Sequence, residues 1–122
     1  CDQIDLDGSI KQAKEAGMGV IAKRPIANAP WRFSDRPVGH YCKEYWHRWK
    51  TMNLPEQKNW LDTFLRFSVF ANGVDTAIVG TTNIEHLKSN IKIVEQGPLD
   101  DELNNLIIES FKTHNQNWRG EV

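Results

Sequence analysis

An α/β fold with parallel strands is predicted by two short apolar segments set among helical periodicities. The segments are Met18–Lys23 (MGVIAK) and Val74–Val79 (VDTAIV), each of strand length and without the polar alternation of a strand that faces water on one side. The second predictor is element order: strand, helix, strand, helix implies parallel pairing through a right-handed crossover. The third is size, since 122 residues, 39% of them hydrophobic, make a single unit over 1–122 with enough chain to bury a core.

Ile10–Ala16 reads as a short helix closed by Gly17, the residue best able to take the left-handed conformation just past a helix end. The first strand follows at once, and Pro25 stops its ladder bonding. Between Asn59 and Ala71 a helix is predicted, with Trp60, Leu61, Phe64, Leu65 and Ser68 on one face and Asn72-Gly73 as its stop. The second strand is expected, like the first, to be buried on both faces. Thr82-Asn83-Ile84-Glu85 reads as a capping box with Thr82 as N-cap. The helix it opens places Leu87, Ile91 and Val94 on one side, and Gly97-Pro98 ends it. A last helix, about Asp100–Thr113, carries Leu103, Leu106, Ile107 and Phe111 at the spacing of a buried stripe.

About 50 residues separate the two strands, far more than a crossover helix with short loops needs. The excess is a long excursion over residues 27–55, with a helix expected over Tyr41–Met52. It leaves the carboxyl end of the first strand, where α/β folds place ligands, so it suits a lid or substrate wall, or equally a packing arm. Its helix sets Tyr41, Tyr45 and Trp49 at i, i+4, i+8, with Lys43, His47, Arg48 and Lys50 between them. Aromatics interleaved with cations hold single-stranded nucleic acid. The same spacing docks an apolar helix face with the basic residues on its wet side, and docking is the favoured reading.

Composition excludes several classes. Fifteen basic against sixteen acidic side chains give no global attraction to nucleic acid or membranes. The apolar segments fall well short of the roughly 20 residues of a membrane helix, and the acidic residues 1–9 do not read as a signal peptide. Cys1 and Cys42 form no CxxC, and such sparse cysteine usage predicts a reducing, cytoplasmic compartment. The four histidines show no metal-ligand spacing, and there is no nucleophile elbow. A first residue that is not methionine fits a piece of a longer chain.

The chemistry is expected at the strand exits. The second strand runs into Gly80, Thr81 and Thr82 and then a helix N-terminus, whose N–H groups and dipole suit a phosphate. Lys23, Arg24 and Pro25 leave the first strand at the same edge, so the two exits would face a shared anion such as a pyrophosphate. An N-cap threonine and a solvent-facing Lys-Arg pair account for the same residues without a ligand.

Three blocks, GMGVIAKRPIANAPW (Gly17–Trp31), LRFSVFANGVDTAIVGTTNIEHLKSNI (Leu65–Ile91) and GPLDDEL (Gly97–Leu103), resemble in order and spacing the C-terminal part of the aldo/keto reductases. The resemblance spans nearly the whole chain. It implies a partial (β/α)8 barrel: a β-α-β-α piece comprising strands seven and eight, with an extra C-terminal helix. It implies NADP or NAD as cofactor, with Arg24, Pro25 and Ile26 along the pyrophosphate, Gly80, Thr81 and Thr82 at the adenosine ribose and its 2′-phosphate, and Asn90 at the adenine. His86 stands where the family usually has an arginine that clamps the 2′-phosphate, and Ser89 replaces an acidic or amide residue. The family's catalytic aspartate, tyrosine, lysine and histidine lie on earlier strands, outside this stretch, and a full barrel takes about 250 residues. The chain therefore reads as a C-terminal fragment of a carbonyl-reducing oxidoreductase, with half of a cofactor site and no catalytic residues. The alternative is a non-catalytic oligomeric protein that reuses the piece to bind a nucleotide or a partner. Either way its open edges call for self-association or for the rest of a barrel.

Overall fold

The computed structural model describes residues 8–118. Among them are α1 (Ser9–Glu15), β1 (Ile21–Lys23), a 3-10 turn (Pro30–Arg32), α2 (Lys43–Thr51), α3 (Trp60–Val69), β2 (Thr76–Ile78), α4 (Ile84–Val94) and α5 (Asp101–His114). The fold is mixed α/β. Its strands pair in parallel, with Ile21 opposite Thr76, Ala22 opposite Ala77 and Lys23 opposite Ile78.

Helix ends follow from single residues. Gly17 has a φ of 71°, its N–H donates to the Lys14 carbonyl, and the Met18 N–H reaches back to Ala13. These paired bonds satisfy carbonyls that the last turn of α1 would leave open, and they aim the chain into β1. The Asn59 side chain caps α3 by accepting from the Leu61 and Asp62 N–H groups, and Asp100 caps α5 by accepting from Leu103. Gly73 is required twice over: its φ is 87°, and a Cβ there would stand 2.5 Å from Ile10 Cγ2.

The core lies among the helices. Met52, Trp60, Phe64, Phe67, Leu99, Ile107 and Phe111 form one buried cluster. The excursion packs onto it: Trp31 stacks on Phe64 with ring centroids 5.2 Å apart, and Trp49 meets Trp60 edge-on at 5.4 Å. It is a packing arm over α3. Tyr41 lies before the first turn of α2 and is exposed, while Tyr45 is buried. Arg48, expected on the wet side, is also buried, with its guanidinium over the Trp118 ring at 5.8 Å. The aromatic face of Trp118 is one contact that favours a cation there.

Several sequence expectations are corrected. Both strands are three residues long instead of six, because the Asp75 and Thr76 N–H groups share the Val20 carbonyl and the ladder starts only beyond it. Nor are the strands buried on both faces, since Ile21 is 58% and Ile78 59% exposed. Side chains alternate along a strand. Ala22 and Ala77, both half-buried, share the face on which α3 packs, while Ile21, Lys23, Thr76 and Ile78 share an open one. Among the described residues, α3 is the helix that packs on the sheet.

Helix α4 is turned from its expected orientation. Asn90 and Ile93 are its buried residues, and Leu87 and Ile91 are exposed. Ile84, Leu87 and Ile91 share one side of this helix and stay exposed, Val94 beside them is half-buried, and Asn90 and Ile93 lie on the buried side. Leu106 of α5 is likewise exposed, while Ile107 and Phe111 are buried as expected. Cys1 lies outside the described residues; Cys42 is buried and its thiol donates to the Asn28 carbonyl at 3.2 Å. No helix among the described residues is long and apolar enough to cross a membrane.

Candidate functional site

Parallel pairing in this register places the ends of β1 and β2 side by side, since Lys23 lies opposite Ile78. The chain therefore leaves both strands at one edge of the sheet, with residues 24–29 on one side and 79–83 on the other. The opposite edge is fixed by Asp75. Its carboxylate accepts from the Val20 N–H at 2.7 Å and from Lys14 Nζ at 2.8 and 3.0 Å. The Lys14 bond, with the Val20 bond adding to it, holds the Asp75 carboxyl below its ordinary range. This pin sets the register that aligns the two exits, and the sequence marks it only as one acid inside an apolar run.

The first exit has an unusual backbone. Arg24, Ala27, Asn28 and Ala29 have φ values of 55°, 48°, 60° and 53°, in the left-handed region that non-glycine residues enter at roughly 1–2 kcal/mol each. Neighbours hold the segment in that shape. Arg24 Nη1 donates to the Tyr45 hydroxyl at 3.0 Å, the Ser68 hydroxyl donates to the Pro25 carbonyl at 2.8 Å, and the Cys42 thiol takes the Asn28 carbonyl. Within the segment, Ala27 N–H reaches Arg24 and Ala29 N–H reaches Ile26. Lys23 is exposed, Arg24 and Ile26 are half-buried and Pro25 is buried. Arg24 is therefore not one of a solvent-facing pair. It is anchored to α2.

At the second exit Gly80, Thr81 and Thr82 are all exposed. The N-cap of α4 is Asn83, and Thr82 does not hold that place. The Asn83 side chain accepts from the Glu85 N–H at 2.9 Å, and Asn83 has the extended backbone a cap needs. The Thr81 hydroxyl accepts from the Asn83 N–H at 3.1 Å and sits 3.5 Å from His86 Nδ1. With the cap moved one residue along, the reciprocal box to Glu85 does not form; Glu85 pairs with Lys88 at 2.7 Å instead. That pairing tempers the negative charge in a first turn that an anion would otherwise avoid. His86 is exposed one turn into α4, and Asn90, four residues on, is only 8% exposed.

Gly80 differs in kind from Gly73. Its backbone is not left-handed, and a Cβ there would meet nothing within 4 Å. Nothing within the described residues demands glycine at that point. Among the described residues no group of histidine, cysteine, aspartate or glutamate side chains is placed to hold a metal ion. A shallow concavity of about 400 Å³ lies elsewhere, at the N-terminal ends of α3 and α5, lined by Asn59, Asp62, Arg66 and Asp100 among others. It is wide open and brings together capping and ion-paired side chains already engaged, Arg66 with Asp62 at 3.1 Å for one.

The strand exits set a basic turn and the N-terminus of α4 at one edge of the sheet. It contains no paired nucleophile and base. Tyr45 and Ser68, which brace the basic turn, were visible in the sequence only as members of apolar helix faces. Compared with family models, with curated proteins and with solved structures, the chain gives no match.

Proposed function

We propose that this chain is the C-terminal part of an NAD(P)-dependent aldo/keto reductase barrel, contributing the adenosine and pyrophosphate side of the cofactor site. The observation that carries the reading is the in-register parallel pair, with Arg24-Pro25-Ile26 and Gly80-Thr81-Thr82 leaving at one edge. A (β/α)8 barrel has helices on the outer face of each strand pair and side chains packed on the inner face. The half-covered alanine face and the open Ile21–Ile78 face have that division.

In this reading Arg24 faces the pyrophosphate, Gly80 lets the cofactor approach the backbone, and Thr81, Thr82 and His86 surround the ribose. A neutral imidazole clamps a 2′-phosphate less well than a guanidinium, so NADH competes with NADPH here more evenly than an arginine would allow. Asn90, being buried, contributes through whatever edge it presents between α3 and α4. The reaction partner is an aldehyde or ketone, and hydride transfer needs residues from outside this stretch. A reducing cytoplasmic setting suits the buried Cys42 thiol.

Titration of the purified chain with NADPH and with NADH, followed by tryptophan fluorescence, tests the binding half of the proposal. Saturable quenching by either is expected; none with both would overturn it. Steady NADPH oxidation with aldehydes by the 122-residue chain would contradict the assignment of the chemistry to other residues. The exposed Ile21, Ile78, Leu87 and Ile91 favour one second reading, an oligomer in which another copy covers them. Sedimentation across a concentration range distinguishes it by a stable dimer or larger species.

A further inference from the structure

The turn that carries the chain from α3 into β2 holds a reactive pair of residues. The Val74 N–H donates to the Ala71 carbonyl at 3.0 Å, which puts Asn72 and Gly73 at the central positions of a β-turn. Every other asparagine in the sequence is followed by a residue with a Cβ, and Asn72 alone is followed by glycine. A side chain at the following position screens its own backbone nitrogen, whereas glycine leaves that nitrogen open to close approach. Asn72 is exposed, and among the described residues neither its carboxamide nor the Gly73 N–H has a hydrogen-bond partner. Comparable positions lack one of these conditions. The Asn59, Asn83 and Asn115 side chains are occupied in accepting backbone N–H groups. Gln96 also precedes a glycine, but the Gly97 N–H donates to the Val94 carbonyl at 3.0 Å.

We propose that Asn72-Gly73 is a site of spontaneous backbone modification, at which the asparagine converts to aspartate and isoaspartate through a cyclic imide. The Gly73 nitrogen, having given its proton to water or hydroxide, attacks Asn72 Cγ. The N–Cγ bond forms, the Cγ–Nδ2 bond breaks, and the departing nitrogen takes up a proton and leaves as ammonia. Water then adds to one of the two imide carbonyls. Opening at Cγ breaks the new bond and gives aspartate. Opening at the main-chain carbonyl breaks the original peptide bond and gives isoaspartate, whose main chain runs through Cβ and Cγ. Nothing is oxidised or reduced. The isoaspartyl form adds one carbon to the main chain and frees a carboxylate three residues before Asp75. Room on the α1 side is scarce, since a Cβ on Gly73 would stand 2.5 Å from Ile10 Cγ2 and 3.5 Å from Lys14 Cγ. The change therefore falls next to the Lys14–Asp75 pair that sets the strand register. None of this depends on the cofactor reading.

The test is peptide mapping by mass spectrometry of the full 122-residue chain, kept folded in neutral and in mildly alkaline buffer beside a free peptide spanning residues 70–75. The amide is expected to be lost first at Asn72, within about tenfold of the rate in the peptide, because an unbonded turn amide belongs to the least protected part of a fold. Electron-transfer fragmentation separates isoaspartate from aspartate, and both are expected at that position. Conversion should be faster in the alkaline buffer, since the nitrogen attacks only without its proton. Asn72→Gln has one more methylene and would have to close a six-membered ring, so it should keep its amide through the same incubation. An intact Asn72 in the folded chain while the peptide converts would overturn the proposal. So would earlier amide loss at another asparagine, or an equal mass gain in Asn72→Gln.

Discussion

The helical side of this molecule and its sheet side are built to different standards. Between α2, α3 and α5 the apolar residues close on one another: Phe64 and Ile107 are almost fully buried, and Trp31 and Trp60 both have rings against Phe64. Around β1, β2 and α4 the apolar residues point outward, with Met18, Ile21, Ile78, Ile84, Leu87 and Ile91 all exposed. Scattered exposed apolar residues are ordinary; here they gather on the open face of the sheet and on one side of α4. The first region holds the chain together, and the second carries the candidate site beside apolar side chains that are open to solvent.

Breaking the well-packed side gives the largest effect. Phe64→Ala is expected to cost about 3–5 kcal/mol in chemical denaturation, the usual range for emptying a buried phenylalanine site. Next come the two glycines that flank β2. Gly73→Ala should lose about 1–2 kcal/mol or more, because an L side chain is strained at its φ and its Cβ collides with Ile10. Gly80→Ala should stay within about 0.5 kcal/mol of the parent in the same experiment, since its Cβ meets open space. Its effect belongs in the NADPH titration, where affinity should drop.

On the open side, Leu87→Gln and Ile91→Gln sharpen the comparison. Both should leave the denaturation midpoint within the error of a surface change, about 0.5 kcal/mol. A large loss from either would mean that the outward face of α4 is already buried by a partner in solution. The smallest effect is expected at Asp75, whose carboxyl is held down by Lys14 and Val20 while remaining exposed. A carboxylate with a lowered folded-state pKa contributes above its unfolded value, about 3.9, and that contribution disappears as pH falls through the folded value. Protection of the Val20 amide relative to its intrinsic exchange rate should therefore fall as pH drops below the ordinary aspartate range, and Asp75→Asn should lower that protection at neutral pH already.

Local chemistry was legible in the sequence, and burial much less so. The Gly17 stop, the Gly97-Pro98 stop and the stripe ending in Ile107 and Phe111 can be read from a few consecutive residues, because each is a property of one turn or one helix face. The N-cap of α4 was misassigned by one position because Thr81, Thr82 and Asn83 are three capping residues in a row, and which one takes the cap is decided by how β2 delivers the chain. The apolar runs of β1 and β2 were read as buried on both faces. Such a run does not say which face is covered: α3 packs on the Ala22–Ala77 side, and among the described residues Ile21 and Ile78 stay exposed on the other. The same applies to α4, whose apolar residues do not single out the Asn90–Ile93 side. The exits of the strands could be named from sequence, but their bracing by Tyr45, Ser68 and Cys42 could not. Those contacts join residues 14 to 43 positions apart, and nothing in local spacing encodes them.

The central claim is that the ligand edge lies at the strand exits and not in the concavity between α3 and α5. Backbone amide resonances of the isotope-labelled chain, followed through a titration with NADPH, test it most directly. The account predicts saturable shifts confined to residues 23–29, 79–86 and 90. Shifts centred on Asn59–Arg66 and Asp100–Leu103, or none at any residue up to a large excess of NADPH, would contradict it.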